Sequence, residues 1–386
     1  MPSLSRRGLA TVALTAPLFR ATPARAQTQP VRLGAVLPFS GGLELFGQQA
    51  KLGIDLAVSE LNTSGGVRGR PVEVIVEDNK TDPKTSVEKA TKLIGRDEVL
   101  AILGPITSSA RDAMAPTMAR QKTPLLYATN YEGGACGRYL FSFNTVPNQE
   151  LAQLVPHLAE TKGKAFFMFG ADYVWPQKMF TAAETLISIA GGKVLGKEFT
   201  AFGAKDFTPI IRRIEASGAN VLLFALPGAD GITFIRQAEE LGLLSKVTVG
   251  FLGFSEAYLG AFGEGRGQDM WVTVPLVSSS SDPGVANFVS RIRAMAGPST
   301  VVSHYVMSHY LAVKASARAL ESRGEVGREA LVDGLAGLTM EGPTGSVAIG
   351  ATDHHVTLPM FLARTSGAGL EVVKALGAIS PEAGCG

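Results

Sequence analysis

The side chains best suited to chemistry in this sequence are hydrogen-bonding and aromatic groups that follow short apolar runs. Leu100 to Leu103 breaks at Gly104-Pro105 into Thr107-Ser108-Ser109, and Pro124 to Tyr127 breaks into Ala128-Thr129-Asn130-Tyr131-Glu132-Gly133. Hydroxyls that open a helix suit an electron-rich group, because unpaired backbone N–H groups and the positive end of the helix dipole converge there. The same residues also serve as plain helix caps. Two adjacent polar loops, the second with two tyrosines, favour a ligand site. The second half adds Asp172, Tyr173 and Trp175 after a run ending at Phe169, Gly228-Ala229-Asp230 after Ala225, and Ser255-Glu256 after Phe251. Asp230 reads best as a turn residue. Together these groups describe hydrogen-bonding and aromatic walls brought from two halves to one cleft, the make-up of a small-molecule site.

Catalytic constellations are missing. The first apolar run is followed by Pro38-Phe39-Ser40-Gly41, not by a dinucleotide fingerprint, and there is neither a phosphate loop nor a G-x-S-x-G elbow. His304 and His309, five apart, are separated by roughly 140° on a helix and cannot share a metal. Asp353-His354-His355 is the one tempting metal cluster, but neighbours on an extended segment point to opposite faces. The sequence thus predicts no catalytic residue, no metal and no cofactor.

The elements needed to hold such loops are legible as periodicity. Val31 to Pro38 and Val72 to Val76 read as buried strands. Ile54, Ala57, Val58 and Leu61 mark the apolar face of a helix between them, and Val87, Ala90 and Ile94 mark the next. With the stretch from Leu100 this gives βα units in series, hence a parallel, doubly wound sheet. After Phe141 to Phe143 the same grammar restarts, with strands at Ala165–Phe169, Val194–Phe199, Val221–Ala225 and Val247–Phe251. Helices at Lys178–Ile189, Phe207–Ala216 and Ile232–Leu241 alternate with these strands. The fold class is therefore α/β, two doubly wound parallel-sheet lobes joined by a hinge. Val306, Tyr310, Val313, Ala317 and Leu320 form a long helical stripe, and Val347–Ile349 and Leu358–Ala363 are late strands. The expected division is 1–26 as a signal peptide, 27–145 with 277–340 as lobe 1, 146–276 with 341–376 as lobe 2, and 377–386 as a C-terminal tail.

The chain has 386 residues, 46% hydrophobic and 18% charged, a length that favours two domains over one core. Arg6-Arg7, a weakly apolar run from Gly8 to Phe19 and Ala24-Arg25-Ala26 read as an export signal, and Ser5-Arg6-Arg7-Gly8-Leu9 resembles a twin-arginine one. Removing its four arginines, with no acid lost, takes the formal net charge from +2 to −2. The basic balance belongs to the address, so nucleic acid is not an expected partner. No later segment is long and apolar enough to span a bilayer, and a periplasmic location is expected. Cys136 and Cys385 permit one disulfide or remain two thiols.

Tyr131-Glu132-Gly133, Pro147-Asn148-Gln149, Asp172-Tyr173 with Pro176, Glu341-Gly342-Pro343-Thr344-Gly345 and His354-His355, in this order and spacing, resemble the periplasmic substrate-binding proteins of branched-chain amino-acid-type ABC transporters. The resemblance covers essentially the whole chain after the signal and is closest to the urea- and short-chain-amide-binding branch. It implies the type I binding-protein fold, a small polar ligand (amide, urea derivative or amino acid), no enzymatic activity and an ABC permease as partner. A periplasmic sensor of the same fold, signalling to a regulatory protein, is the alternative. Carried over, it places Ser108, Tyr127, Thr129 and Asn130 against the ligand from lobe 1. From lobe 2 it places Tyr173 and Trp175, with Ser255 and Glu256 closing the pocket. Trp175 stands where the branch usually has Tyr or Phe, and Asn130 where a less polar residue is common. A Glu256 carboxylate turned into the cleft would favour an amino acid; turned away, it would favour a neutral amide.

Overall fold

The computed structural model describes residues 29–385. Its first half alternates β1 (Val31–Leu37), α1 (Glu44–Thr63), β2 (Val72–Asp78), α2 (Pro83–Gly95), β3 (Ile102–Leu103), α3 (Ser108–Arg120), β4 (Leu125–Tyr127) and β5 (Leu140–Ser142). The alternation restarts with α4 (Pro147–Thr161), β6 (Ala165–Ala171), α5 (Val174–Ile189), β7 (Lys193–Thr200), α6 (Thr208–Ser217) and β8 (Val221–Ala225). It continues through α7 (Gly228–Glu240), β9 (Thr248–Phe251), α8 (Ala257–Phe262) and β10 (Trp271–Val274). Three helices follow, α9 (Pro283–Ala296), α10 (His304–Arg323) and α11 (Arg328–Leu335), and then β11 (Thr339–Gly342), β12 (Gly345–Ile349), β13 (Val356–Ser366) and β14 (Gly369–Ile379).

Local sequence explains most of these ends. Asp82 caps α2 by accepting from Thr85 N at 2.6 Å, with Pro83 at the first helical position. Thr107 caps α3 by accepting from Ala110 N at 3.3 Å and Ser303 caps α10 by accepting from Tyr305 N at 3.3 Å; each side chain takes an N–H that the helix leaves free. Gly218 and Gly324 end α6 and α10 in the left-handed conformation.

Among the described residues the first sheet has five parallel strands, in the order β2-β1-β3-β4-β5. The second has nine, and within it β7-β6-β8-β9-β10 repeat the same order and parallel sense. In each sheet the order therefore reverses beside its first strand, between β1 and β3 and between β6 and β8. Open α/β sheets bind ligands at such reversals, outside the carboxyl ends of the strands.

Periodicity alone did not reveal everything. β10 to β14 make antiparallel pairs, so the second sheet is mixed and not wholly parallel. β14 runs to Ile379, so the tail expected from residue 377 begins inside a strand. Cys136 and Cys385 are joined, with Cα atoms 5.8 Å apart, tying the chain end to the loop between β4 and β5. The signal expected over 1–26 lies outside the described residues.

α9, α10 and α11 leave the second sheet and return to the first half, α10 lying along α1 and against α11. The α1–α10 approach is close because Gly53 has no side chain. A Cβ built there would lie 2.0 Å from the Val306 carbonyl oxygen and 2.9 Å from Tyr310 N. The lobes also touch directly. Ala229 N donates to Gly42 O at 3.0 Å, and His304 Nε2 donates to Phe254 O at 2.9 Å while Asn144 Nδ2 donates to His304 Nδ1 at 3.2 Å. One ring nitrogen donating and the other accepting requires a neutral imidazole, and burial lowers the His304 pKa to about 4. In Gly53→Ala the added carbon must push apart two backbones. The expected loss is about 2 to 3 kcal/mol in a urea unfolding curve, and an unchanged midpoint would show that the α1–α10 contact yields easily.

Candidate ligand-binding site

The loops beside both reversals meet around one small cavity. From the first half come Leu43 and Phe46 after β1, Ile106 and Ser108 after β3, and Thr129 and Asn130 after β4. The second half contributes Tyr173 and Trp175 after β6, Pro227 after β8 and Gly253 after β9, and Tyr305 at the start of α10 closes the wall. Phe46 and Tyr305 meet edge to face with centroids 4.9 Å apart, and Tyr173 and Trp175 tilt together at 6.2 Å, so much of the lining is ring surface.

The polar lining is under-satisfied. Thr129, Asn130 and Trp175 are each 5% exposed or less, yet Thr129 Oγ1, Asn130 Nδ2 and Trp175 Nε1 have no hydrogen-bond partner in the protein. A buried polar group without a partner costs about 1–3 kcal/mol, and three on the walls of one cavity are groups in wait of a ligand or ordered water. Asn130 is held by its other end, since Tyr305 Oη donates to its Oδ1 at 2.7 Å. Gly253 makes the arrangement possible. Its φ is +65°, and a Cβ there would lie 2.9 Å from Trp175 Cη2 and 3.3 Å from Asn130 Nδ2.

Five of the eight expected site residues, Ser108, Thr129, Asn130, Tyr173 and Trp175, line this cavity. Three do not. Tyr127 is buried behind the wall, where its hydroxyl donates to Ile106 O at 2.9 Å. Ser255 is fully buried, and its Oγ accepts from Ala257 N at 3.3 Å. Glu256 turns toward the connection after β10, its Oε1 accepting from Ser278 N at 3.0 Å and Ser278 Oγ at 2.8 Å. Each has found a local partner that a strand-end position does not reveal.

Behind Ser108 lies an ion pair that the sequence reading missed. Arg111, on the turn after Ser108, donates to Glu132 Oε1 at 2.7 Å, and Ser108 Oγ donates to Glu132 Oε2 at 2.6 Å. The guanidinium lies 5.1 Å from the Tyr127 ring centroid and 4.5 Å from that of Tyr131, two desolvated cation–π contacts with rings set at right angles. Spacing gives the only early hint: Arg111 sits three residues after Ser108, on the same helix face. Tyr305 and Phe46 were hidden for a different reason, since both lie in amphipathic helices whose aromatics read as core.

His354 and His355 hold structure, not metal. His354 stacks on Phe141 at 4.1 Å, its Nδ1 3.2 Å from Leu140 O, and His355 Nε2 is hydrogen-bonded to the Tyr131 hydroxyl. Among the described residues no cluster of three or more His, Cys, Asp or Glu could hold a metal ion, and no helix is long and apolar enough to cross a membrane.

With this geometry in view, comparison with known proteins decides the family. The sequence matches the periplasmic binding protein family over residues 30–369. The chain belongs to that family. It is 23% identical over 339 residues to the leucine-, isoleucine-, valine-, threonine- and alanine-binding protein of Pseudomonas aeruginosa, covering 82% of this chain and 85% of that one. A solute-binding protein of an ABC transporter from R. palustris, solved with 4-hydroxybenzoate, superposes with a TM-score of 0.81 at 22% identity, over 92% of this chain and 98% of that one. The branched-chain amino acid transporter substrate-binding protein of Streptococcus pneumoniae, solved with isoleucine, gives 0.81 at 20% identity, over 92% and 100%. The fold is thus the type I periplasmic-binding one. The family's members are substrate-binding proteins and not enzymes, bind small ligands and serve ABC transporters. Periplasmic export follows from the family, whereas the relatives carry names of amino acids and benzoates in place of the urea or amide that the motifs suggested.

Glu150, on the first turn of α4, lies beside Asn130, and burial pushes its carboxyl up to about 7, offset in part by the Thr145 hydroxyl and the Asn130 side chain. A carboxyl raised above its unfolded value costs nothing at low pH and loses stability as pH rises through the folded value. Glu150→Gln, which still accepts from Thr145, is therefore expected to match the parent near pH 5 and to exceed it by up to roughly 3 kcal/mol at pH 8. Melting curves at both pH values check this; a gain equal at pH 5 and pH 8 would contradict it.

Proposed function

We propose that this protein captures a compact, partly apolar solute between its two lobes and delivers it to an ABC permease. The observation that carries the reading is the set of three buried, unpaired polar atoms, Thr129 Oγ1, Asn130 Nδ2 and Trp175 Nε1, on the walls of one interlobe cavity. Residues 27–145 with 277–340 form one lobe and 146–276 with 341–376 the other. Ligand satisfies the unpaired groups only when both lobes contribute, so it favours the closed arrangement by its differential affinity for it, and the permease reads the closed surface. Ser108, Thr129, Asn130, Tyr173 and Trp175, with Tyr305, are the contacts.

The ligand is larger than urea. A molecule of about four non-hydrogen atoms gains at most roughly 6 kcal/mol, which corresponds to a dissociation constant of tens of micromolar. It would also leave most of the ring surface of Phe46, Tyr173, Trp175 and Tyr305 uncovered. Solutes of the size named for the relatives, a leucine or a hydroxybenzoate, cover it.

Export follows the route that Arg6 and Arg7 suggest, a twin-arginine signal cut after Ala26. Intact mass of periplasmic material is expected to start at Gln27, and a chain retaining Arg6 would refute the cleavage. Calorimetric titration tests the site itself. Trp175→Ala is expected to weaken the tightest ligand by about 1 kcal/mol or more, with both proteins held below their melting temperatures. Equal affinities would remove Trp175 from the contacts, and tightest binding to urea would overturn the size argument.

A further inference from the structure

Resting on the binding reading above, we propose that the ligand is a monocarboxylate with an apolar body and no ammonium group. The cavity offers an anion far more donors than acceptors. Trp175 Nε1 and Asn130 Nδ2 can only donate, Thr129 Oγ1 can donate, and all three are buried without partners. The same wall holds the starts of four helices: the N-caps Leu43 of α1, Tyr173 of α5 and Pro227 of α7, and the first residue, Ser108, of α3. These helices are 20, 16, 13 and 13 residues long. Each is long enough to present a positive end, and their N-termini come from both lobes.

An ammonium group needs the opposite surroundings. Among the described residues no Asp or Glu belongs to the cavity wall. The nearby carboxylates lie outside the wall, although only Glu132 has both oxygens paired and Glu150 Oε2 and Glu256 Oε2 are buried without partners. Both Glu132 oxygens accept, one from Arg111 and one from Ser108, and Glu256 accepts from Ser278. Glu150 accepts from Thr145 at 2.7 Å and lies outside the wall; its burial-raised carboxyl, at about 7, is largely protonated below neutral pH. Moving an ammonium into this cavity would strip its water and return no anionic partner.

The charge is also limited to one. No Lys or Arg lines the wall, and Arg111 is already neutralised by Glu132 and by Asp112, whose Oδ1 lies 2.8 Å from its Nη2. Neutral donors and helix ends suit a single carboxylate, whereas a dianion would lack a counter-charge. The rest of the molecule meets Leu43, Phe46, Ile106 and Pro227, an apolar surface.

Two matched sets of probes test this by calorimetry on the full mature protein: phenylacetate, phenylacetamide and phenylglycine, and 4-methylpentanoate, its amide and leucine. In at least one set the acid is expected to bind at least tenfold tighter than both its amide and its amino acid. Trp175→Phe, which keeps a ring and removes the N–H, is expected to weaken that acid about fivefold or more. Ligand-free melting curves show that the variant is folded. An amino acid that equals or exceeds its acid would reveal an acceptor for ammonium, and an amide that equals its acid would show that charge is not read. Either result overturns the proposal, as does failure of both sets. A thermal-shift panel of sugars, polyamines and ureas then separates the two readings. A hit there keeps the solute-binding function with the carboxylate assignment lost, and an empty panel at millimolar concentrations counts against the function as well.

Discussion

Two sheets, each with a five-stranded parallel array whose order reverses beside its first strand, constrain everything else in this molecule. At such a reversal neighbouring connections run to opposite faces of the sheet, which leaves a crevice at the strand ends that no side chain of the sheet fills. Helices leaving those ends carry unpaired N–H groups into the crevice. Facing two such sheets toward each other makes a chamber whose walls are loops and helix starts, and here Ser108, Asn130, Tyr173, Pro227 and Gly253 all occupy such places. The chemistry of the chamber follows from the topology, because backbone donors and short polar side chains are what those positions supply.

Packing then fixes how closely the chamber can be built. α10 carries Tyr305 to the wall and is held against α1 at a distance that only a glycine at position 53 permits. Gly253 does the same for Trp175 and Asn130. Behind the wall the Arg111–Glu132 pair, enclosed by two tyrosine rings, orients Ser108. A buried pair of this kind contributes little net stability compared with apolar packing, but loss of one partner leaves a stranded charge. Its effect is therefore positional. From there Tyr131 reaches His355, between β12 and β13 of the second sheet, so the wall is joined to the other sheet by contiguous side chains.

The polar balance of the chamber separates two ligand classes that share this fold. Amino acids need an acceptor for their ammonium group, and Glu256, the carboxylate best placed by sequence to supply one, is spent on Ser278 in the connection after β10. Its second oxygen is buried without a partner but lies outside the wall, and the unpaired groups on the wall itself can all donate. An excess of donors on a wall without acidic side chains is the physical basis of the proposed preference for a carboxylate over a zwitterion.

The sequence by itself determined the alternation of strands and helices, the division into two similar arrays, and the loops that meet around the cavity. Those features rest on local periodicity and on residue types at strand ends, both of which survive without knowledge of neighbours. Ser108, Thr129, Asn130, Tyr173 and Trp175, read from the sequence for that reason, line one cavity. Tertiary structure alone decided the rest. Tyr127, Ser255 and Glu256 stand at the same kind of position but turn to partners that lie 21, 2 and 22 residues away. Tyr305 joins the wall from a helix 175 residues beyond Asn130, its partner in the wall. The disulfide closes over a separation of 249 residues, and the antiparallel pairing of β10 to β14 depends on which edge the returning chain finds. A side chain's direction and its distant partner are set by packing across the whole chain, and no local pattern encodes them.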